Sequence, residues 1–115
     1  MLPQAHRLRR SEEIRQVRRE GNRWQHPLLT LYTRPTGQQS SRIAISVSRR
    51  VGNAVVRNRC KRRVREVVRQ QLPQINCGWD CLFIARDRLA GAPYAEVEAA
   101  VKQLLQRASL LPHSR

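Results

Sequence analysis

Residues 48–69 read Ser48-Arg49-Arg50-Val51-Gly52-Asn53-Ala54-Val55-Val56-Arg57-Asn58-Arg59-Cys60-Lys61-Arg62-Arg63-Val64-Arg65-Glu66-Val67-Val68-Arg69. Nine of these 22 side chains are Arg or Lys, and only Glu66 is acidic. The apolar residues among them are ordered. At about 100° per residue, Val56, Cys60, Val64, Val67 and Val68 fall within roughly 120° of one helical face. Asn58, Arg59, Arg62, Arg65 and Arg69 point the other way. The pattern predicts a helix with one side in a protein core and a dense array of cations on the other. Like charges three and four residues apart repel, so a solvated face normally mixes signs. Here Arg59, Arg62 and Arg63, then Arg65 and Arg69, are offset by Glu66 alone. Such a face calls for a polyanion, and nucleic acid is the one that fits.

The rest of the chain agrees. Its 115 residues suit one RNA-binding domain, 1–115, with a single modest core. Lys and Arg number 23 against 8 Asp and Glu, a formal charge of +15. Lys61 and Lys102 are the only lysines; the other 21 are Arg. Arginine presents a planar fork of donors that matches phosphate oxygens and stacks on bases. A GC-rich genome would favour Arg over Lys, but it would not produce the net charge.

Cys60, Cys77 and Cys81 are too few, and odd in number, for a disulfide framework. Cys60 lies on the apolar helix face and reads as a small core residue. Cys77 and Cys81 stand at C-x3-C spacing with no second ligand pair nearby, so a zinc site is not the expectation. No signal peptide precedes the chain and no apolar run approaches a membrane span, which gives a soluble cytoplasmic protein as the expectation.

Outward from the basic helix, the elements follow from punctuation and period. Residues 1–10 are basic and contain Pro3, and a mobile arm is expected there. Ser11 is a suitable cap, with Glu12 and Glu13 at the favourable end of the dipole and Gly21 as a stop, which predicts a short helix over 11–20 with Ile14 and Val17 inward. Residues 22–26 offer a short edge strand and 28–33 a full one. Pro35, Gly37 and the Gln/Ser cluster to Ser41 mark a loop. Residues 42–48 alternate, with Ile43, Ile45 and Val47 on one face. Asn53 caps the basic helix and Pro73 ends it near Leu72. A strand over 81–86 follows, then a helix with Pro93 in its first turn. Val97, Ala100, Val101, Leu104, Leu105 and Ala108 form its core stripe. The tail, 110–115, is expected to fray. The order is αβββαβα, an α+β fold.

No protein active site is visible. His6, His26 and His113 fall in an arm, a loop and a tail, and none has a nucleophile or carboxylate at meaningful spacing. Asp80 and Asp87 flank one strand as turn acids, and neither a P-loop nor a G-x-G-x-x-G is present. A second candidate surface lies on the sheet. Tyr32 shares its face with Leu28 and Thr30, and the neighbouring strand over 42–48 offers Ala44 and Ser46, a set of small and polar residues around one aromatic that suits an unstacked base.

These residues resemble a known family. Arg57-Asn58-Arg59, followed by Lys61-Arg62 and Arg65-Glu66 and preceded by Ser46 to Val55, is similar to the RNR signature of the bacterial ribonuclease P protein component. His6 to Arg10, the helix ending at Glu20-Gly21, Leu31-Tyr32-Thr33 and Leu82 to Arg86 extend the resemblance over roughly residues 6–108. It implies a two-layer α-β sandwich with a four-stranded sheet and a left-handed βαβ crossover, opposite to the general rule for such connections. It implies that the protein joins a catalytic RNA to remove the 5′ leader from precursor tRNA. Hydrolysis then belongs to the RNA subunit and its Mg²⁺ ions, so the protein needs no catalytic residue, bound cofactor or obligate protein partner. Arg57, Asn58, Arg59, Lys61, Arg62 and Arg65 would meet the RNA subunit, with Arg49 and Arg50 nearby. Ile14, Val17, Arg18, Tyr32 and Ser46 would line the leader cleft. The family's first helix commonly offers two aromatics there; this chain has Ile14 and Arg18, and Arg18 would substitute a phosphate contact. The alternatives are a ribosomal or RNA-chaperone protein of similar fold, sharing the basic helix without preferring precursor over mature tRNA, and a DNA-binding module, for which no recognition-helix pair is evident.

Overall fold

Strand Arg42–Ser46 and strand Trp79–Ala85 pair in parallel, and a parallel pair needs a long crossover, which the basic helix Ala54–Gln71 supplies. The computed structural model describes residues 2–111. In chain order the elements are α1 (Ser11–Glu20), β1 (Asn22–Gln25), β2 (Leu29–Pro35), β3 (Arg42–Ser46), α2 (Ala54–Gln71), β4 (Trp79–Ala85) and α3 (Tyr94–Arg107). The αβββαβα order is as expected, and the four strands form one mixed sheet ordered β1-β2-β4-β3.

That order corrects one expectation. β3 is not the neighbour of β2, because β4 returns between them, antiparallel to β2 over seven residue pairs. Tyr32 therefore faces Ala44 across Leu82, and Thr30 faces Ser46 across Ile84. Leu28 precedes β2 and packs into the opposite core. β4 also starts earlier than the sequence suggests, since Trp79 and Asp80 pair with Pro35 and Arg34.

The sheet is buried on both faces. One carries Leu29, Leu31, Ile43, Cys81 and Phe83 against the inner residues of α2 and the apolar stripe of α3. On the other, Val17 of α1 is fully buried against Leu8, Ala44 and Leu82, with half-buried Ile14, Tyr32 and Ile84 around them. Cys60 and Cys81 are buried and Cys77 is exposed, so the C-x3-C pair does not converge. Burial pushes the Cys81 thiol up, far from a metal-binding thiolate.

Residues 2–10, where the sequence predicts a mobile arm, lie on the body. Leu2 and Leu8 are buried, the Leu8 amide donates to the Ile43 carbonyl at 2.9 Å, and His6 Nδ1 donates to the Ser41 carbonyl at 2.7 Å. β3 is an edge strand, and these residues satisfy part of its open hydrogen-bonding side. At the other end, Leu110 and Leu111 are buried against the C-terminus of α3. Both of their amides donate to the Leu105 carbonyl, at 2.8 and 3.3 Å, an acceptor the end of the helix would otherwise leave open. Residues 112–115, with His113, lie outside the described residues.

Two local details differ from expectation. Arg10, not Ser11, holds the cap position of α1, without a side-chain cap bond, and Pro93 sits at the cap of α3 rather than inside its first turn. Gly21 does stop α1, for a reason of space. A Cβ there would meet the Val17 carbonyl oxygen at 2.5 Å and the Thr33 carbonyl oxygen at 2.7 Å.

α1 is held to the sheet by an ion cluster of buried Asp80 with the partly exposed Arg42 and Glu13. Arg42 Nε and Nη2 donate to Asp80 Oδ1 and Oδ2 at 2.9 and 2.8 Å, and Nη2 also donates to Glu13 Oε2 at 2.7 Å. Asp80 is only 1% exposed. Arg42→Ala strands that carboxylate without a counter-charge, and should cost about 3–5 kcal/mol in urea unfolding. The hydrogen bond from Arg42 holds the Glu13 carboxyl below its ordinary value of 4.5. A carboxylate depressed in the folded state stabilises above its unfolded value and loses that contribution as pH falls through the folded one. Below pH 4.5 the wild type should therefore lose stability more steeply than Glu13→Gln; identical profiles in acid titrations would refute the linkage.

Candidate nucleic-acid interface

α2 begins where the Asn53 side chain accepts the Val56 amide at 3.0 Å. Its inner face is Cys60, Val64, Val67 and Val68, all buried, as the 3.6-residue period requires. Outside, Asn58, Arg59 and Arg62 are exposed, and Arg57, Lys61 and Arg65 are partly so. Arg57, Arg59, Lys61, Arg62 and Arg65 make no ion pair with any described residue. Asn58, Lys61, Arg62 and Arg65 surround a hollow of about 400 Å³, together with Val55.

The sequence reading passes over Val55, yet it is 73% exposed amid these cations. The signal is there: one step of about 100° back from Val56 leaves the buried arc. Two arginines of the run serve the fold instead. Arg63 Nη1 donates to the Ala92 carbonyl at 2.9 Å and ties α2 to the segment before α3. Arg69 pairs with Glu66, whose carboxyl it holds below the usual range. The repulsion on the outer face is thus concentrated in the five unpaired cations.

A second surface runs between α1 and the edge strand β3. Toward one end Leu8, Arg9, Ile14, Ala44 and Arg65 line a hollow of about 300 Å³. Toward the other, Arg18, Ser46, Ile84, Arg50, Arg86 and Arg88 line one of about 590 Å³. Arg65 borders both the first of these and the α2 hollow, so the two surfaces meet at its side chain.

Of the five residues expected at the cleft, Ile14, Arg18 and Ser46 line it. Val17 is fully buried and acts as packing beneath it. Tyr32 is half-buried in the same cluster and borders neither hollow. Arg50 lies beside Arg18 rather than with the α2 cations, 3.6 Å from Asp87, and Arg49 is exposed in the same turn. The sequence reading also passes over Arg86 and Arg88. They follow β4, well beyond the basic run, and only the parallel pairing of β3 with β4 brings them beside Arg50.

Among the described residues the titratable groups form no acid–base pair. Asp80 is engaged by Arg42. His26 Nδ1 accepts the Leu28 amide at 3.1 Å, and burial, with Arg107 nearby, lowers its pKa. Among the described residues no three His, Cys, Asp or Glu side chains converge to hold a metal ion, and no helix is long and apolar enough to cross a membrane. The arrangement can bind and position an anionic chain.

The Ribonuclease P family matches residues 2–109. The chain is 45% identical over 111 residues to the ribonuclease P protein component of Roseiflexus castenholzii, covering 96% of this chain and 91% of that one. It is 44% identical over 112 residues to that of Chloroflexus aurantiacus, covering 96% and 83%. Among solved structures, the RNase P protein from Thermotoga maritima superposes with a TM-score of 0.81 at 31% identity, over 88% of this chain and 96% of that one. The Staphylococcus aureus RNase P protein gives 0.86 at 24% identity, over 93% and 98%, a likeness of fold.

Arg59→Ala and Arg62→Ala should weaken RNA binding without lowering the melting temperature, because both side chains are exposed and each is removed from a set of like charges. For each phosphate that a variant no longer neutralises, the plot of log K against log salt should flatten by about 0.7–0.9. Val64→Asp should unfold the domain by placing a charge in the core. Equal melting temperatures for all three variants would contradict this division of α2.

Proposed function

The chain belongs to the ribonuclease P protein family, and on that premise we propose a division of work between its two cationic surfaces. As the protein component it is a subunit of the endoribonuclease ribonuclease P, acts in tRNA processing and partners the ribonuclease P RNA. The α2 face, through Arg57, Asn58, Arg59, Lys61, Arg62 and Arg65, docks on that RNA, with Arg49 at its margin. The groove between α1 and β3 takes the 5′ leader of precursor tRNA, with Ile14, Arg18 and Ser46 at its walls and Val17 and Tyr32 supporting it from beneath. Arg50 belongs with the groove. The observation that carries this reading is the junction at Arg65: a chain leaving the surface of an RNA bound to α2 enters the groove without crossing a neutral gap.

In this reading hydrolysis is performed by the RNA subunit with its Mg²⁺, and the protein contributes charge and position, in the cytoplasm and without an obligate protein partner. Cations fixed on α2 neutralise phosphates that would otherwise need free Mg²⁺. Added to a bacterial ribonuclease P RNA at low Mg²⁺, the protein should restore leader removal that the RNA alone performs only at high Mg²⁺. The holoenzyme should bind precursor tRNA more tightly than mature tRNA. Restored activity with no preference for the precursor would leave the RNA-docking role and remove the leader role; no restoration would favour a general RNA chaperone.

A further inference from the structure

We propose that the hollow between the β1–β2 turn, the segment after β4 and α3 is a binding site for a guanine base. It lies apart from the α2 face, and the proposal does not rest on the leader reading. Its volume is about 690 Å³, within the roughly 300–1,000 Å³ of small-molecule sites. The turn contributes His26 and Leu28, the segment after β4 contributes Arg88 and Ala92, and α3 contributes Glu96 and Ala99. The walls are tied in place. Arg107 Nη1 donates to the Gln25 carbonyl at 2.6 Å, and the Leu28 amide donates to His26 Nδ1 at 3.1 Å, which together fix the turn. Arg63 Nη1 holds the Ala92 carbonyl from the side of α2. Leu28 and Ala92 are buried against the main core and form a rigid apolar floor. The site is therefore formed before any ligand enters it.

Three polar groups stand around that floor. Arg88 and Glu96 are exposed and have no ion-pair or hydrogen-bond partner among the described residues. His26 Nδ1 accepts the Leu28 amide, so the neutral ring carries its proton on Nε2 and keeps that N–H as a donor. A small anion would be repelled by Glu96, and a small cation by Arg88. A purely apolar ligand would leave all three groups unpaired. A flat ring with apolar faces and with both donors and acceptors on its edge satisfies the set. Among the four RNA bases, guanine alone carries two adjacent donors, N1–H and the N2 amino group, which a carboxylate accepts together. It also carries two adjacent acceptors, O6 and N7, which a guanidinium meets as a fork. Glu96 takes the first edge and Arg88 the second, while Leu28, Ala92 and Ala99 give the faces apolar contact. A free guanine nucleotide and an unpaired guanosine in RNA present the same edges, and the test separates them.

The full chain is titrated with guanosine, inosine and adenosine while its amide NMR shifts are followed. These nucleosides are uncharged, so the net charge of +15 does not drive their binding. Guanosine should shift the amides of His26, Leu28, Gly91, Ala92, Glu96 and Ala99. Inosine, which lacks the N2 amino group, and adenosine should each bind about tenfold more weakly. Glu96→Gln should bring guanosine down to the level of inosine without lowering the melting temperature, because that side chain is exposed. Ala99→Trp, which fills the hollow from an exposed helix position, should abolish the shifts. The source is then assigned with guanosine 5′-monophosphate and with an oligouridine carrying one guanosine, each read at the same amides. Equal affinity of the two assigns the site to a free nucleotide. Tighter binding of the oligomer, absent for oligouridine alone, assigns it to RNA. Equal affinity for guanosine and adenosine, or guanosine shifts that lie elsewhere on the protein, would overturn the proposal.

Discussion

The Arg42 guanidinium is bound by both oxygens of Asp80 and by Glu13, and three elements take their relative positions from it. Arg42 and Asp80 are direct partners in the parallel pairing of β3 and β4, so the bidentate bond fixes register where a slip of one residue would turn Asp80 toward the hydrophobic core. Glu13 brings α1 down on the same atoms. α1 has little else to hold it. Val17 is its one fully buried side chain, and the four residues packed as the core of that face are far fewer than those beneath α2 and α3. A buried ion pair is weak evidence for net stability, because desolvation offsets most of the attraction. What it supplies here is geometry. The width of the groove between α1 and β3 depends on where α1 sits.

The same separation of roles runs along α2. Its stability comes from four buried residues against α3 and the sheet; Arg59 and Arg62 stand exposed outside that packing, whereas Arg57 Nε is buried without a hydrogen-bond partner among the described residues. Arg63 and Arg69, which do have partners within the protein, stand where the helix needs a strut and an intrahelical pair. Arginine is therefore used for two purposes within one helix, and the presence of a partner distinguishes them. The unpaired set raises the electrostatic energy of the free protein and lowers it on binding, so affinity is drawn from repulsion already present in the isolated subunit.

Much of this is legible in the sequence wherever the signal is local. The valines of α2 and the stripe from Val97 to Ala108 repeat at the helical period, and Asn53 and Pro73 mark where α2 starts and stops. The cationic side of α2 and its family resemblance come from the same 22 residues. What is not legible depends on contacts between distant segments. Nothing near residue 80 says that β4 inserts between β2 and β3, so the place of Tyr32 relative to Ala44 does not follow from the strands taken singly. Basic composition makes residues 2–10 look mobile, although Leu2 and Leu8 are the buried anchors. Val17 faces inward as its period demands, and an inward residue under a helix cannot also line the cleft above it. Arg86 and Arg88 look like ordinary surface charges because the residues that give them meaning, Arg18 and Arg50, lie far away in the chain.

Under the proposed function, a protein whose described residues form no acid–base pair still governs a reaction performed by another molecule, by fixing where the reacting chain lies. Two surfaces are needed for that, one to hold the catalyst and one to hold the substrate, and their relative orientation must be rigid. In this chain the rigid link is short. Arg65 projects from α2 into both hollows, α2 joins β3 to β4, and Arg42 locks those strands to α1. Any change in the angle between α1 and the sheet alters the groove without altering the α2 face. On the proposed division, the groove can therefore change while the α2 face stays as it is, and the ion cluster at Arg42 is what sets the groove.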